Sequence, residues 1–330
     1  MSLMMDKLDI SWKDAEDYII QDDKDKYDID YVGNEHMVMN EDTELISIRG
    51  KDPNFSLTKN AAKQVCRHFN IPFDFWMKEL DHYDRAYIFN KFCKTRNAEF
   101  FVRCRNNGDK SHGIRGFLSH LFVPLDNRFI IEQLESFRDK GDYKITNFFL
   151  DDNRLHFRVI DPSIVLDLTN GKPDLLYGGI HIANSETGTR NATIDAVVYR
   201  QICKNGMMGL SKDSFLNITH RGQPEADFVM GYKDAVRDAL KYSGLAFDKI
   251  IKTQSMDLEH NNQAESLIDG LDSLKASKTF KDEVVKEFEN SEHSNLYDFV
   301  NVLTHQAQKT EWDKRCLIER HAGSLLKLAA

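Results

Sequence analysis

Proline occurs only six times in 330 residues and tryptophan three times, and no low-complexity tract or internal repeat interrupts the chain. That scarcity leaves no proline-rich linker and excludes solenoid and collagen-like architectures. No apolar run approaches the roughly 18 residues that a membrane span needs, so no membrane association is expected. The opening MSLMMDKLDISWKDAEDYII lacks the unbroken apolar core and small-residue cleavage site of a secretory signal, which makes the cytoplasm the expected compartment. Cysteine is sparse as well: Cys66, Cys93, Cys104, Cys203 and Cys316 are odd in number, scattered and free of any CxxC spacing. Reduced, mostly buried thiols follow from that pattern, and a disulfide framework does not.

Familiar catalytic signatures are missing too. Gly171-Lys172 runs into Pro173 with no glycine five residues earlier, so there is no phosphate-binding loop, and neither GxGxxG, HExxH nor GxSxG occurs. The twelve histidines never pair with Cys or carboxylates at metal-ligand spacing, and His112, His120, His305 and His321 read as hydrogen-bonded structural residues. The sequence therefore predicts no cofactor and no metal. A ligand set drawn from distant segments lies beyond what spacing reveals.

What the chain does have is charge, unevenly spread. With 41% hydrophobic and 29% charged residues it has the composition of a folded protein, and its net charge is -9. Residues 1–53 carry 15 Asp and Glu against 6 Lys and Arg, which alone sums to -9. From Arg85 to Arg128 the balance reverses, with nine cations against Glu99, Asp109 and Asp126. A local excess of six positive charges marks a candidate anion-binding face. The alternative is that the acidic segment folds over the basic one and neutralises it.

Patterning gives the elements. Residues 1–53 read as an acidic arm with a short strand near Glu44 to Arg49. Ser56 is the expected cap of a helix carrying Leu57, Ala61, Val65 and Phe69 on one face, followed by short helices over FDFWMKEL and Asp84 to Lys94. AEFFVRCR and GIRGFLS form a hairpin about Asn-Gly, RFIIEQLESF a helix, and DYKITNFFL with RLHFRVID a second hairpin. Ala226 to Tyr242, Asn261 to Leu274, Phe280 to Phe288, Leu296 to Gln308 and Cys316 to Leu328 all have helical spacing. The expected class is α+β: a mixed, largely antiparallel sheet with helices in the N-terminal two-thirds, then a helical C-terminal region. The expected divisions are 1–53, 54–222 and 223–330, the last packed on the core or separate from it.

Two stretches carry chemistry. In FFVRCR, alternation sets Phe101, Arg103 and Arg105 on one side and Phe100, Val102 and Cys104 on the other, the second set being core. Arg96, Phe101, Arg103, Arg105, Lys110, Arg115 and Arg128 are the candidate nucleic-acid contacts, cations for phosphates and a ring for a base. The other stretch is GIHIANSETGTRNATIDAVVYRQICKNGMMGL, read as a strand, a polar loop and a helix capped by Asn191 or Thr193 and stopped at Asn205-Gly206. Capping leaves Glu186, Arg190 and Arg200 unexplained. The group Asn184, Ser185, Glu186, Thr187, Arg190, Arg200 and Asn205 is either an anion-binding loop at a helix N-terminus or a structural lock in which Glu186 pairs with an arginine.

NSETGTRNATIDAVVYRQICKNGM resembles the NSE-G … R-x-x-C-x-NG signature of a phage- and plasmid-borne family known as domain of unknown function 932. FSLTKNAAKQVCRHFNIPFDFW, GIRGFLSHLFVPLDNRFIIEQL, NLYDFVNVLTHQAQ and ERHAGSLL are similar to the same family in the same order, from about residue 55 onward. Where relatives carry LSDRY-x-x-LDN this chain has LSHLFVPLDN, so no role of that charged pair carries over. The matching positions are Arg115, Ser119, Asp126, Asn127, Asn184, Ser185, Glu186, Gly188, Arg200, Cys203, Asn205 and Gly206. The resemblance implies a place on mobile elements beside replication, recombination and defence genes, and brings no active site with it.

The leading expectation is a phage or mobile-element protein that binds single-stranded DNA or RNA in replication, recombination or annealing. Two alternatives stand beside it. One is an enzyme acting on a nucleotide or nucleic acid, with the 184–190 loop holding phosphate and Glu186 as acid/base or metal ligand. The other is a homo-oligomeric assembly protein whose acidic arm reaches a basic partner or its own basic face.

Overall fold

The computed structural model describes residues 4–108, 112–139, 142–169, 173–208, 214–258, 266–290 and 295–329. The chain opens with β1 (Met5–Ile10) and α1 (Trp12–Asp23), then β2 (Lys26–Gly33), β3 (Met37–Met39), β4 (Ile46–Ile48) and β5 (Lys51–Leu57). Three helices follow, α2 (Lys59–Phe69), α3 (Phe73–Lys78) and α4 (His82–Thr95), before β6 (Glu99–Asn106) and β7 (His112–Ser119). Next come α5 (Asn127–Gln133), α6 (Glu135–Arg138), β8 (Lys144–Leu150), β9 (Leu155–Asp167), β10 (Leu175–Asn184), β11 (Ala192–Arg200), β12 (Asn205–Met207) and β13 (Leu216–Ile218). The rest is helical: α7 (Pro224–Gln254), α8 (Lys278–Glu289), α9 (Leu296–Ala307) and α10 (Trp312–Leu325). No helix among the described residues is long and apolar enough to cross a membrane.

The class is α+β. The larger sheet runs β1-β8-β9-β10-β11-β12, with β13 also on β11, and every pairing is antiparallel. The smaller sheet runs β2-β6-β7-β5-β4-β3 and is mixed, because β5 lies parallel to β7. Each sheet has its own core. Ile180, Ile182, Ile194 and Val198 face α7 and α9 from the larger sheet, with Phe148 and Phe157 against Tyr18 and Trp12 of α1, while Phe55, Phe100, Val102, Ile114 and Phe117 meet α2 and α4 from the smaller. Burying one such side chain contributes about 1.5–3 kcal/mol, so either cluster alone outweighs any surface ion pair here.

Three expectations change. Residues 4–53 are no solvated arm: they supply β1 to one sheet, β2, β3 and β4 to the other, and α1 between them. α2 is capped by Thr58, whose Oγ1 accepts from the Ala61 N–H at 3.2 Å, because Ser56 and Leu57 are still paired with β7. Most consequentially, the segment after the NSETGTRN loop is strand β11, not a helix, so neither Asn191 nor Thr193 is a cap. Ile194, Ala196 and Val198 enter the main core while Asp195, Val197 and Tyr199 point the other way, the period of two of a strand buried on both faces. Asn205-Gly206 begins β12 after a turn in which Lys204 takes φ +50°, so it stops no helix.

Candidate functional site

Alternation along β6 sends Phe100, Val102 and Cys104 into the core of the smaller sheet, as the sequence predicts. It sends Arg103 and Arg105 to the opposite face, joined from β7 by Arg115. That face is not open. α1 and the β10–β11 loop cover it, and Arg103, Arg105 and Arg115 are buried along with Phe101. The expectation of a cationic sheet face that bases could reach is thereby corrected: buried arginines need carboxylate partners, and the acidic first 53 residues supply two of them, Asp22 and Asp28.

Glu186 lies at the centre, 2% exposed, on the loop between β10 and β11. Its Oε2 accepts from Lys26 Nζ at 2.6 Å and Arg115 Nη2 at 2.9 Å, and its Oε1 from the Asn127 N–H at 3.0 Å, at the start of α5. Arg103 donates through Nη1 to the Glu186 carbonyl at 2.9 Å and pairs with Asp28 and Asp126 at 2.9 and 2.7 Å. Arg105 pairs with Asp22 and Asp152, and Lys26 also with Asp22. Four cations thus face five carboxylates in one buried network. Burial opposes the Glu186 charge, yet Lys26, Arg115 and Arg103 outweigh it and hold the carboxyl well below its usual range. A general acid or base near neutral pH needs the reverse shift and a way in for substrate. This carboxylate works as a clamp.

The rest of the loop tightens that clamp. Asn184 Nδ2 donates to the Leu125 carbonyl and Asn127 Oδ1, at 2.8 and 2.9 Å. Ser185 Oγ accepts from the Thr189 N–H at 3.0 Å. Gln64 of α2 donates to the Thr187 carbonyl at 2.7 Å, and Thr187 Oγ1 donates to Asn153 at 3.1 Å. Gly188 turns at φ +69°, where a side chain would be strained. A hairpin tip of the larger sheet is therefore fastened into the smaller one.

The other sequence candidates disperse. Arg190 pairs with Asp313 at 3.1 Å, and Arg200 with Asp174 through Nε and Nη2 at 2.7 and 2.8 Å. Asn205 is buried, its Nδ2 donating to Thr304 Oγ1 at 2.6 Å. The unexplained trio of Glu186, Arg190 and Arg200 thus works in three separate places and forms no anion pocket. Arg128 is exposed but paired with Glu132 and Asp23. Arg96 is exposed, lying over the Phe92 ring and donating to the carbonyls of His68 and Phe69. Lys110 lies outside the described residues.

One constellation escaped the sequence reading. His156 of β9, His181 of β10 and Cys316 of α10 bring three ligand atoms within 4.8 Å of one another, all buried. They are 25 and 135 residues apart along the chain, so no spacing rule could find them. Only correct strands over both segments, with both histidines on the face opposite the core, would have paired them. No family model matches the chain, and no curated protein or solved structure matches it either.

Proposed function

We propose that the chain binds single-stranded nucleic acid, in support of replication, recombination or annealing on a mobile element, and that the binding surface is the helical layer over the smaller sheet. The observation that carries this reading is a set of exposed cations without ion pairs among the described residues. Lys59, Lys63 and Arg67 recur every four residues along the outer side of α2, and Lys91, Lys94 and Arg96 follow on and after α4. The two helices meet where Phe69 stacks on Phe92 at 4.9 Å, which joins the two rows. Phe75, Tyr83 and Tyr87 are 46–60% exposed on the same layer and offer ring faces to bases. Of the basic candidates named from sequence, Arg96 is the member that belongs here; Arg103, Arg105 and Arg115 act as internal counter-charges.

Titration with a fluorescent single strand at two salt concentrations tests the reading. Lys59→Ala, Lys63→Ala and Arg67→Ala together should weaken binding to all sequences alike and flatten the log–log salt dependence by about 0.7 for each phosphate that is no longer neutralised. Binding absent at low salt, or untouched by the triple substitution, would sink it.

A further inference from the structure

The larger sheet has a second buried face, opposite its main core, and its polar residues stand in register. Arg158, His181 and Asp195 are directly opposed across β9, β10 and β11, and His156 lies two residues along β9, opposite Ala183. α10 closes this face with one stripe, Trp312, Arg315, Cys316 and Glu319, while Ile318, Ala322 and Leu325 turn to the main core. Around Cys316 the packing is apolar, from Phe149, Val197, Met208 and Trp312.

Within that shell, His156 Nδ1 is 3.2 Å from His181 Nε2, and Cys316 Sγ is 3.8 and 3.9 Å from those same two atoms. Zinc bonds of about 2.0–2.1 Å to nitrogen and about 2.3 Å to sulfur place tetrahedral neighbours about 3.3 Å apart for N–N and about 3.6 Å for N–S. The observed triangle matches that size to within a few tenths of an ångström. We propose that His156 Nδ1, His181 Nε2 and Cys316 Sγ form a metal site, for one borderline-to-soft ion of the Zn2+ type, that fastens α10 to the larger sheet.

The outer ring nitrogens carry the second argument. His156 Nε2 is 3.6 Å from Asp313 Oδ1, and His181 Nδ1 is 3.9 Å from Asp195 Oδ2. Each histidine therefore turns one nitrogen to the shared point and the other toward a carboxylate, the arrangement that orients metal-bound imidazole. With protons on both outer nitrogens, two inner lone pairs face each other 3.2 Å apart, the arrangement a cation at the shared point would bridge. An ion at the shared point accepts both inner lone pairs and frees both outer protons for Asp313 and Asp195. His181 Nδ1 has no hydrogen-bond partner among the described residues, as expected of a group awaiting that small adjustment.

Charge permits it. Arg190 Nη1 is 3.1 and 3.3 Å from the two His156 nitrogens, but Asp313 already pairs with it, and Arg158 is paired with Glu319. Binding would displace the Cys316 thiol proton to solvent, exchanging S–H for S–metal, so the thiolate offsets one of the ion's two charges. Asp313, half exposed, marks the short way in.

Elemental analysis of the full chain from zinc-supplemented culture should give about one zinc per chain, as a Cys/His site of this kind holds. Chelated protein reloaded with Co2+ should show visible d–d bands and a near-ultraviolet thiolate charge-transfer band. Cys316→Ser should abolish the charge-transfer band and the rise in melting temperature on adding Zn2+, while Cys203→Ser should keep both. Should Cys316→Ser fail to fold, the wild-type Co2+ spectrum and zinc release on thiol modification still decide. Substoichiometric zinc with no cobalt–thiolate band in the wild type, or a band that survives Cys316→Ser, overturns the proposal.

Discussion

Burial alone would raise the Glu186 carboxyl, and only the three cations around it keep it ionised. Replacing it with glutamine keeps the shape but leaves Lys26 and Arg115 short of an anion in a dry site. Glu186→Gln should therefore cost about 3–5 kcal/mol at neutral pH, the usual consequence of breaking a buried pair from one side. The pH dependence has a definite sign. A carboxyl depressed in the folded state contributes stability that is fully present above its unfolded value, about 4.3, and is lost as pH falls from there toward the folded value. Denaturant midpoints for wild type and Glu186→Gln should thus differ widely at pH 7 and converge below about pH 4. A constant gap over that range would show that the carboxylate charge is not what stabilises the loop. Sequence composition made Glu186 and the basic run visible, and the possibility of mutual neutralisation with them. It could not show which carboxylates would close on Arg103 and Arg105, because Asp22, Asp28, Asp126 and Asp152 come from four separate segments.

At the scale of elements, the hairpins over Glu99–Ser119 and Lys144–Asp167 were legible because an Asn-Gly or Asp-Asp-Asn turn separates strands of clear alternation. Strand β11 was not. Buried on both faces, ATIDAVVYR offers apolar residues at every offset, so a helical period fits it as well as a strand period, and the following Asn-Gly completes a false helix stop. The strand propensity of its Thr, Ile, Val and Tyr was the signal that should have outweighed periodicity. Gly206 then needs another explanation, and packing supplies one. A Cβ there would lie 2.8 Å from Arg158 Nη1 and 3.0 Å from Val197 Cγ2. Arg158 cannot swing aside cheaply, since Glu319 pairs with it and the Trp312 ring lies 5.1 Å from its guanidinium carbon. Gly206→Ala should lower stability by about 1–3 kcal/mol through overpacking, read as a lower urea midpoint with an unchanged m-value. An alanine variant as stable as wild type would mean that Arg158 has room to move.

For the whole molecule, the order in which strands are used decides what can be separated. The first 53 residues look detachable by composition, yet β1 pairs with β8 in one sheet, β2 with β6 in the other, and α1 lies against α5 between them. Asp22 and Asp28 from this segment also neutralise Arg105 and Arg103. Removing it takes the covering layer from the buried arginines, opens one edge of the larger sheet and both edges of the smaller, and leaves the inner side of the Glu186 clamp facing water. A chain of residues 54–330 should therefore lose cooperative unfolding, and its near-ultraviolet circular dichroism should collapse while much of the far-ultraviolet signal from α7 to α10 persists. Adding residues 1–53 as a separate polypeptide should restore part of the near-ultraviolet signal, because the missing strands have defined partners and charges to meet. If the shortened chain instead melts cooperatively near the wild-type temperature, the two sheets are held by α2, the 184–190 loop and α5 alone. The acidic segment would then be a cover that the fold does not need.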